Sequence, residues 1–180
     1  MTALALVRHG RTSWNLERRL QGRTDRPLDE IGRRQARAAA LTLASRPWAS
    51  VVCSPLARAQ ETAALIAAEL GAPAPTVDAC LLERDYGVAE GVTVAEAHER
   101  WPDGHYPGAE SANSLAERSG SALHRLAALP EPTIVVGHGA FLRAGIEALT
   151  GRPFPRILNG DVVLVEHGER GVPAFRLIPR

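Results

Sequence analysis

Residues 4–10 of the chain read Leu-Ala-Leu-Val-Arg-His-Gly, and this stretch decides the fold. Four consecutive apolar residues are typical of a strand that is buried on both faces of a parallel sheet. In α/β proteins, ligands bind at the carboxyl ends of such strands. Arg8 and His9 follow the apolar run directly, so they are the first candidates for a functional site.

The composition of the 180-residue chain is that of a globular protein, with 45% hydrophobic and 23% charged residues. This length predicts a single domain over residues 1–180. No apolar stretch approaches the ~18 residues of a membrane-spanning helix, and no signal-peptide pattern precedes the first strand. Cys53 and Cys80 form no metal-binding or disulfide pattern. We therefore expect a cytoplasmic protein with no membrane partner.

The charge is distributed unevenly along the chain. Residues 1–58 contain 11 arginines and four acidic residues, although the net charge of the whole chain is only +1. A basic first third favours an anionic ligand. All 21 basic residues are arginine, which excludes sites that need a catalytic or phosphate-binding lysine. Nucleic acid is not an expected partner, because the arginines are scattered and only 4% of the residues are aromatic.

Predicted strands and helices alternate along the chain, which indicates a three-layer α/β/α sandwich with a mostly parallel central sheet. Ser54 and Pro55 are expected to begin the helix after the second strand, as N-cap and first-turn proline. The last two strands are expected to form a hairpin near one edge of the sheet. The pattern predicts strands over residues 4–7, 49–53, 133–136, 161–166 and 174–178, and helices over residues 30–44, 55–70, 94–101, 112–129 and 141–149.

Three of these strands end in residues that suit phosphate chemistry. Arg8 and His9 follow the first, Arg58 lies one turn past the second, and His138 follows the third. Arginine binds phosphate oxygens in a bidentate manner, and helix N-termini attract anions. A neutral histidine can attack phosphorus, and a leaving alkoxide needs a proton from a nearby acid. The three strand ends therefore predict a phosphate pocket with catalytic potential.

A series of motifs runs through nearly the whole chain in order. They are Arg8-His9-Gly10 with Thr12, Trp14 and Asn15, then Gln21-Gly22, Asp25-x-Pro27-Leu28, Gly32, Gln35-Ala36, Ser54-Pro55-Leu56-x-Arg58-Ala59-x-x-Thr62-Ala63, Leu82-Glu83 with Gly87, Glu90-Gly91, Pro107-Gly108-x-Glu110-Ser111, Gly137-His138-Gly139 and Leu158-Asn159. Together these motifs resemble those of the histidine phosphatase superfamily, in its phosphoglycerate-mutase-like branch.

The resemblance implies the same α/β/α fold and a catalytic cycle through a covalent phosphohistidine on His9. Arg8, Arg58 and His138 would hold the phosphoryl oxygens. Glu83 would protonate the leaving oxygen and then activate water for the second half-reaction. The family uses no metal ion, so the resemblance implies no metal and no other cofactor.

Further positions are expected to bind substrate or phosphate. Asn15, Gln21 and Gly22 match positions that line the pocket in the family, and Gly139 follows the second motif histidine. Arg11 stands where the family often has glutamate, which would place another cation near the phosphate site or its rim. This departure from the family pattern bears on specificity.

Residues 84–110 are expected to form a lid that sets specificity. The segment between Glu83 and Pro107 contains two arginines, Arg84 and Arg100, and no lysine. It lacks the basic insertion of the related mutases, so water is the expected phosphoryl acceptor. We therefore expect a phosphomonoester phosphatase that acts on a small phosphorylated metabolite. A cofactor-dependent phosphoglycerate mutase and a protein phosphohistidine phosphatase are the alternatives.

A third alternative is a relative that binds phosphorylated ligands without catalysis. It predicts loss of the nucleophile or of the acid, but His9 and Glu83 are both present. Two roles are equally compatible with the sequence for four residues of the lid, namely contact with substrate and packing within the lid. These residues are Tyr86, Trp101, His105 and Tyr106. The physiological substrate and the formation of a homodimer are left open by the sequence.

Overall fold

A computed structural model describes residues 4–166 and 173–178 of the chain. The strands are β1 (Leu4–Arg8), β2 (Ser50–Cys53), β3 (Thr76–Val77), β4 (Thr133–Gly137), β5 (Val162–Glu166) and β6 (Ala174–Ile178). The helices are α1 (Ser13–Leu16), α2 (Glu30–Leu43), α3 (Ala57–Leu70), α4 (Val94–Arg100), α5 (Ala112–Ala127) and α6 (Gly139–Thr150). Two single-turn 3-10 helices lie over Ala79–Leu81 and Gly87–Ala89.

The six strands form one sheet in the order β3-β2-β4-β1-β5-β6. The first four are parallel to one another, whereas β5 is antiparallel to β1 and β6 is antiparallel to β5. The mostly parallel sheet and the hairpin at its edge are therefore confirmed. The predicted turn of that hairpin, residues 167–172, lies outside the described residues.

Two apolar layers enclose the sheet because successive side chains of a strand point to opposite faces. Ala5 and Val7 pack with the apolar faces of α2 and α3. Leu4 and Leu6 pack on the other face, with α5 and α6. All four residues are buried, which explains why β1 reads as a continuous apolar run. The predicted three-layer α/β/α sandwich is confirmed.

The sheet order brings three predicted strand ends together. Arg8 at the end of β1 is in register with Gly137 at the end of β4. Cys53 at the end of β2 is in register with Val136 of the same central strand. The residues that follow these strands therefore lie side by side at one edge of the sheet.

The beginning of α3 differs from the prediction. The helix begins at Ala57, and its N-cap residue, Leu56, makes no capping hydrogen bond with its side chain. The Ala57 amide instead donates to Asp25 Oδ2 at 2.6 Å. The Ser54 hydroxyl lies 2.7 Å from His138 Nε2, so a tertiary contact uses the group that was expected to cap the helix.

Three other features predicted at helix ends are confirmed. The Asp29 side chain caps α2 by accepting from the Gly32 amide. Gly71 ends α3 with a φ of 62°, a left-handed conformation that glycine adopts readily. Thr93 and Glu96 form the predicted capping box at the start of α4. Helix α6 begins at Gly139, two residues earlier than expected.

Within residues 4–166 and 173–178, no helix is both long and apolar enough to cross a membrane. The same part of the chain contains no group of three or more His, Cys, Asp or Glu side chains placed to hold a metal ion. Both cysteines are free thiols. Burial in the core raises the pKa of Cys53 to about 11, so this thiol is protonated at neutral pH.

Candidate active site

A cavity of about 310 Å³ opens at the edge of the sheet where β1, β2 and β4 end. Its volume is at the lower end of the range for small-molecule sites, ~300–1,000 Å³. Ten residues were predicted for the site, and eight of them line this cavity: Arg8, His9, Asn15, Gln21, Gly22, Arg58, Glu83 and Gly139. The other two, Arg11 and His138, do not line it.

The ring of His9 is held in one tautomer. Its Nδ1 lies 2.7 Å from the Gly10 carbonyl oxygen, which can only accept, so Nδ1 carries the proton. Nε2 is then the unprotonated nitrogen, and it accepts from Arg58 Nε at 3.3 Å. Burial, with the charges of Arg58 and Arg8, holds the pKa of His9 well below 6.5. The ring is therefore a neutral base with its lone pair at Nε2 at neutral pH.

Arg58 lies in the first turn of α3 and is almost completely buried. Its Nη2 donates to the Gly22 carbonyl oxygen at 2.6 Å and its Nη1 to the Thr24 carbonyl oxygen at 3.0 Å. The Asp25 carboxylate lies 3.6 Å from Nη1. Burial lowers the pKa of Arg58 to about 10, so the guanidinium stays charged at neutral pH. These contacts fix a cation beside His9 Nε2.

Arg8 also lines the cavity, and its charge acts on His9. Its Nη1 donates to the Ile157 carbonyl oxygen at 2.8 Å, and its Nε is buried without a partner. A Cβ atom at Gly139 would lie 3.1 Å from Arg8 Cζ, so a larger residue there would crowd the guanidinium. Gly139 thus leaves room for Arg8 at the cavity wall.

His138 is fully buried and packs against His9, with 5.1 Å between the ring centroids. Its Nε2 lies 2.7 Å from Ser54 Oγ, whereas its Nδ1 is buried without a partner. Burial and the neighbouring charge of Arg58 hold the pKa of His138 well below 6.5. The two histidines lie together, as the sequence predicted. His138, however, lies beside His9 and does not form part of the cavity wall.

The Glu83 carboxylate binds the N-terminus of α6. Oε1 accepts from the amides of Arg84 and Phe141, each at 2.9 Å, and Oε2 accepts from the amide of Ala140 at 3.2 Å. A helix N-terminus has unpaired amides and a positive dipole end, so a carboxylate is a favourable partner. The same helix has His138 as its N-cap residue. The first turn of α6, the helix that follows β4, thereby holds the Glu83 carboxylate at the cavity.

An ion pair supports the chain segment that carries Glu83. Arg118 of α5 donates to the Leu82 carbonyl oxygen at 2.7 Å and to that of Glu83 at 3.0 Å. Its Nε and Nη2 donate to the two oxygens of Glu110, at 2.5 and 2.9 Å. The sequence analysis included Glu110 in a motif but missed Arg118, whose position on a helix surface carries no local signal.

Two polar side chains, Asn15 of α1 and Gln21 of the loop that follows it, have fixed orientations. Gln21 Oε1 accepts from the Thr12 hydroxyl at 2.8 Å, which leaves Gln21 Nε2 buried without a partner. Asn15 Oδ1 accepts from Asn159 Nδ2 at 3.0 Å and from the Thr12 amide at 3.1 Å. The motif residue Asn159 is therefore a structural partner of Asn15, and both line the cavity.

Gly22 is required by a close approach. Its φ is +55°, and a Cβ atom there would lie 1.9 Å from Glu90 Oε1. The Glu90 carboxylate accepts from the amides of Arg23 and Thr24, both at 2.8 Å. Glu90 thus holds the loop whose carbonyl oxygens orient Arg58, which gives the Glu90-Gly91 motif a structural role.

Arg11 does not line the cavity. Its Nε donates to Asp29 Oδ2 at 2.7 Å, so its charge is used to hold the N-cap residue of α2. Arg11 was expected to place an additional cation near the phosphate site or its rim, but the structure pairs it with Asp29 outside the cavity lining. Sequence spacing did not reveal the Asp29 partner, which lies 18 positions further along the chain.

The aromatic residues of the lid pack mainly against one another. Tyr86 contacts Tyr106, and Tyr106 contacts Trp101 edge-on. Tyr86 alone among them lines the cavity, and burial raises its pKa far above the ordinary range. His105 is exposed and paired with Asp103. Packing therefore accounts for Trp101 and Tyr106, and Tyr86 remains as a candidate for substrate contact.

Several arginines of the cavity wall were not predicted from the sequence. Arg18, Arg19, Arg143 and Arg156 line the cavity together with Arg8 and Arg58. They come from the loop after α1, from α6 and from the segment before β5. No motif marked them, because their convergence depends on tertiary structure.

The family model of the histidine phosphatase superfamily (branch 1) matches residues 4–173 of the chain. A Bacillus subtilis (strain 168) protein named "Uncharacterized phosphatase PhoE" is 40% identical over 153 residues, which cover 84% of this chain and 79% of that protein. A "Probable phosphoglycerate mutase GpmB" of Cronobacter sakazakii (strain ATCC BAA-894) is 36% identical over 166 residues, covering 85% of this chain and 77% of that protein.

Among solved structures, a mycobacterial glucosyl-3-phosphoglycerate phosphatase in complex with VO3 is similar, with a TM-score of 0.83 and 29% identity. That similarity covers 98% of this chain and 97% of the other. The fold, the residues at the strand ends and the match over nearly the whole length all indicate the same family. The chain belongs to the histidine phosphatase superfamily, branch 1.

Proposed function

We propose that the protein is a phosphomonoester phosphatase that acts through a covalent phosphohistidine on His9. The observation that carries the proposal is a set of buried nitrogen atoms without partners. Four buried side-chain polar atoms of the described chain lack a partner, and three of them belong to Arg8, Gln21 and His138. Buried polar groups are almost always paired. Arg8 and Gln21 line the cavity, and a phosphoryl group there would offer acceptor oxygens to their two nitrogens.

The first step forms a bond between His9 Nε2 and phosphorus and breaks the bond between phosphorus and the leaving oxygen. The tautomer and the low pKa of His9 support this role, because both leave a lone pair on Nε2. Glu83 gives a proton to the leaving oxygen, so that an alcohol departs and not an alkoxide. Its position in the cavity wall supports this assignment.

The second step transfers the phosphoryl group from His9 to water. Glu83 accepts a proton from the attacking water, the bond between phosphorus and Nε2 breaks, and inorganic phosphate leaves. Arg8 and Arg58 stabilise the charge on the equatorial oxygens in both steps. Phosphoryl transfer depends mainly on such positioning and charge stabilisation. Arg58 is suited to this task because its orientation is fixed by two backbone carbonyls.

A phosphoglycerate mutase is the second candidate function. The relative from Cronobacter sakazakii, named a probable phosphoglycerate mutase, favours it. The relative named a phosphatase and the solved phosphatase structure favour hydrolysis. Arg18, Arg143 and Arg156 at the cavity are exposed, so water has access to its mouth. We therefore place hydrolysis first, with residues 84–110 as the segment that covers the site.

The test is hydrolysis of p-nitrophenyl phosphate in the presence of EDTA, from acidic to neutral pH. We expect turnover by the intact protein and an acid-labile phosphoryl label, both lost in His9→Ala. His105→Ala is the matched control, since His105 is exposed and does not line the cavity. Absence of turnover by pure folded protein at every pH would refute the phosphatase. Labelling of His9→Ala would remove His9 as the nucleophile.

A parallel assay separates the two candidate functions. Given 3-phosphoglycerate, a phosphatase releases inorganic phosphate, whereas a mutase accumulates 2-phosphoglycerate. We expect phosphate release to exceed isomerisation. The opposite result would replace the phosphatase assignment with that of a mutase and retain the same phosphohistidine.

A further inference from the structure

We propose that three arginines at the cavity, Arg18, Arg143 and Arg156, bind a second anionic group of the substrate. We call these three residues the arginine rim. The inference rests on the proposed function, because it specifies the substrate class as a small phosphomonoester that carries a carboxylate or another anionic group beside the phosphate.

The charges of the cavity wall are unbalanced. Six arginines line it, but Glu83 is the only acidic residue that the described chain contributes to the lining. The phosphate of a monoester brings a charge of about −1.5 to −2 at neutral pH. Arg8 and Arg58 beside His9 are sufficient to match that charge. The remaining arginines of the wall therefore exceed what the phosphate alone requires.

The remaining arginines differ in their partners. Arg19 donates to Glu17 at 2.6 Å and to the Gly91 carbonyl oxygen at 2.7 Å, so we leave it out of the rim. Arg143 has only a distant partner, Glu147, at 3.8 Å. Arg18 and Arg156 have no side-chain hydrogen bond or ion pair to any of the residues that the structure describes. These guanidinium groups are free to take an anion.

Arg143 and Arg156 lie close to the phosphate side of the cavity. Burial lowers the pKa of Arg8 and the charge of Arg156 adds to this effect, while the carbonyl of the next residue, Ile157, accepts from Arg8. Arg143 is four positions after Gly139 in α6, so both lie on the same face of that helix. Gly139 in turn adjoins the Arg8 guanidinium. An anionic group a few bonds from the phosphorus would thus meet these arginines.

The backbone of Arg18 is held in an unusual conformation. Its φ is +56°, the only positive φ of a non-glycine residue in the described ranges. The conformation is fixed by bonds from the Arg18 amide to the Asn15 carbonyl and from the Val94 amide to the Arg18 carbonyl. Non-glycine residues in this region are strained and cluster at ligand sites. This supports a binding role for Arg18 at the cavity mouth.

The rim also changes how the lid is interpreted. Residues 84–110 contain no lysine and only two arginines, Arg84 and Arg100, so the lid itself offers few cations to a second anionic group. The structure provides those cations from elements outside the lid. Guanidinium groups bind carboxylate and phosphate alike, so the structure assigns an anionic group to the rim and the experiment identifies which one.

The experiment compares substrates that differ in one group. 3-Phosphoglycerate and glycerol 3-phosphate both release a primary alcohol, but one has a carboxylate where the other has a hydroxymethyl group. A third substrate, 2,3-bisphosphoglycerate, adds a second phosphate. We expect kcat/KM for 3-phosphoglycerate to exceed that for glycerol 3-phosphate at least ~10-fold at low salt, the scale of one charge-assisted hydrogen bond. The preference should shrink at about 1 M salt, where the screening length is ~3 Å.

The variants Arg156→Gln and Arg143→Gln should each lower this ratio about five- to tenfold. Arg152→Gln is the matched control, because Arg152 is exposed and lies outside the cavity wall, and its ratio should equal that of the intact protein. A higher kcat/KM for the bisphosphate than for 3-phosphoglycerate would identify phosphate as the group that the rim prefers. Equal kcat/KM for 3-phosphoglycerate and glycerol 3-phosphate, or a ratio unaffected by both variants, would overturn the proposal.

A binding measurement separates this proposal from the proposed function. His9→Ala, titrated calorimetrically, should bind 3-phosphoglycerate at least ~10-fold more tightly than glycerol 3-phosphate. If this preference holds while the intact protein hydrolyses no phosphomonoester, the phosphatase assignment fails and the rim stands. If p-nitrophenyl phosphate is hydrolysed and neither preference is seen, the rim fails and the phosphatase stands.

Discussion

Replacement of Glu83 by glutamine tests the role of the carboxylate while it keeps the shape of the side chain. The glutamine side chain would retain an acceptor oxygen in the place of Oε1, which accepts from the amides of Arg84 and Phe141. The NH₂ group of the new side chain would face the Ala140 amide, which now donates to Oε2 at 3.2 Å. One lost hydrogen bond with an unpaired donor destabilises a protein by about 1–3 kcal/mol. For a chain of this size, that corresponds to a decrease in Tm of about 2–12 °C.

The catalytic effect should be much larger and should depend on the leaving group. Loss of a general acid lowers rates by about 10²–10⁴-fold when the leaving group needs a proton. We expect a loss of this size with glycerol 3-phosphate, because without the acid its glycerol leaving group would have to depart as an alkoxide. p-Nitrophenolate needs little protonation, so the loss in the first half-reaction should be below about tenfold with p-nitrophenyl phosphate.

The assay is the rate of the first turnover with both substrates, followed by rapid quench and by absorbance. The first turnover is chosen because Glu83 also has a proposed role in the hydrolysis of the phosphohistidine. Glu99→Gln is the control, since Glu99 is exposed on α4 and lies outside the cavity wall. Equal losses with the two substrates would refute the general-acid role. A Tm decrease alone, with both rates retained, would leave Glu83 a structural residue.

Two further predictions follow from buried groups. Arg58→Lys should lower kcat about 10²–10³-fold. A lysine lacks the planar guanidinium that donates to the carbonyl oxygens of Gly22 and Thr24 and stabilises the transition state. A steady-state rate near that of the intact protein would place Arg58 outside the reaction. The free energy of unfolding should fall as the pH falls below 6.5, because His9 and His138 stay unprotonated when folded and take up protons when unfolded. His138→Gln should therefore reduce the slope of stability against pH between pH 6.5 and 5.5, measured by urea unfolding, and an unchanged slope would contradict the assigned cause.

The catalytic candidates were accessible from sequence because strand ends have a local signal. An apolar run that stops at Arg8 and His9 marks both the strand and the site, and the same holds for β4 and His138. Glu83 came only from its place in a family motif, because it lies in an irregular segment. Glu83 contacts Ala140 and Phe141 at the N-terminus of α6, which follow it in the chain by 57 and 58 positions. At this separation the sequence pattern carries no information about contacts.

The positions that were misplaced share a physical cause. Ser54 has the residue type of an N-cap, but its hydroxyl contacts the buried His138 ring. Arg11 has the charge of a phosphate ligand, but the Asp29 carboxylate neutralises it. In both cases a partner from another element competes for the polar group. Residue type and spacing show what a side chain can bond and do not show which partner is nearest.

The sequence by itself determined the α/β alternation, the strand ends and the chemical types of the catalytic groups, because burial periodicity and motif spacing are local properties. The tertiary structure decided which atoms are free and which are paired. The order β2-β4-β1 sets His9, Arg58 and His138 side by side. It brings Arg58 Nε within 3.3 Å of His9 Nε2, and the packed elements add arginines that no motif predicted. Such selection depends on contacts between residues far apart in the chain, which form only when the sheet and its two helical layers are assembled.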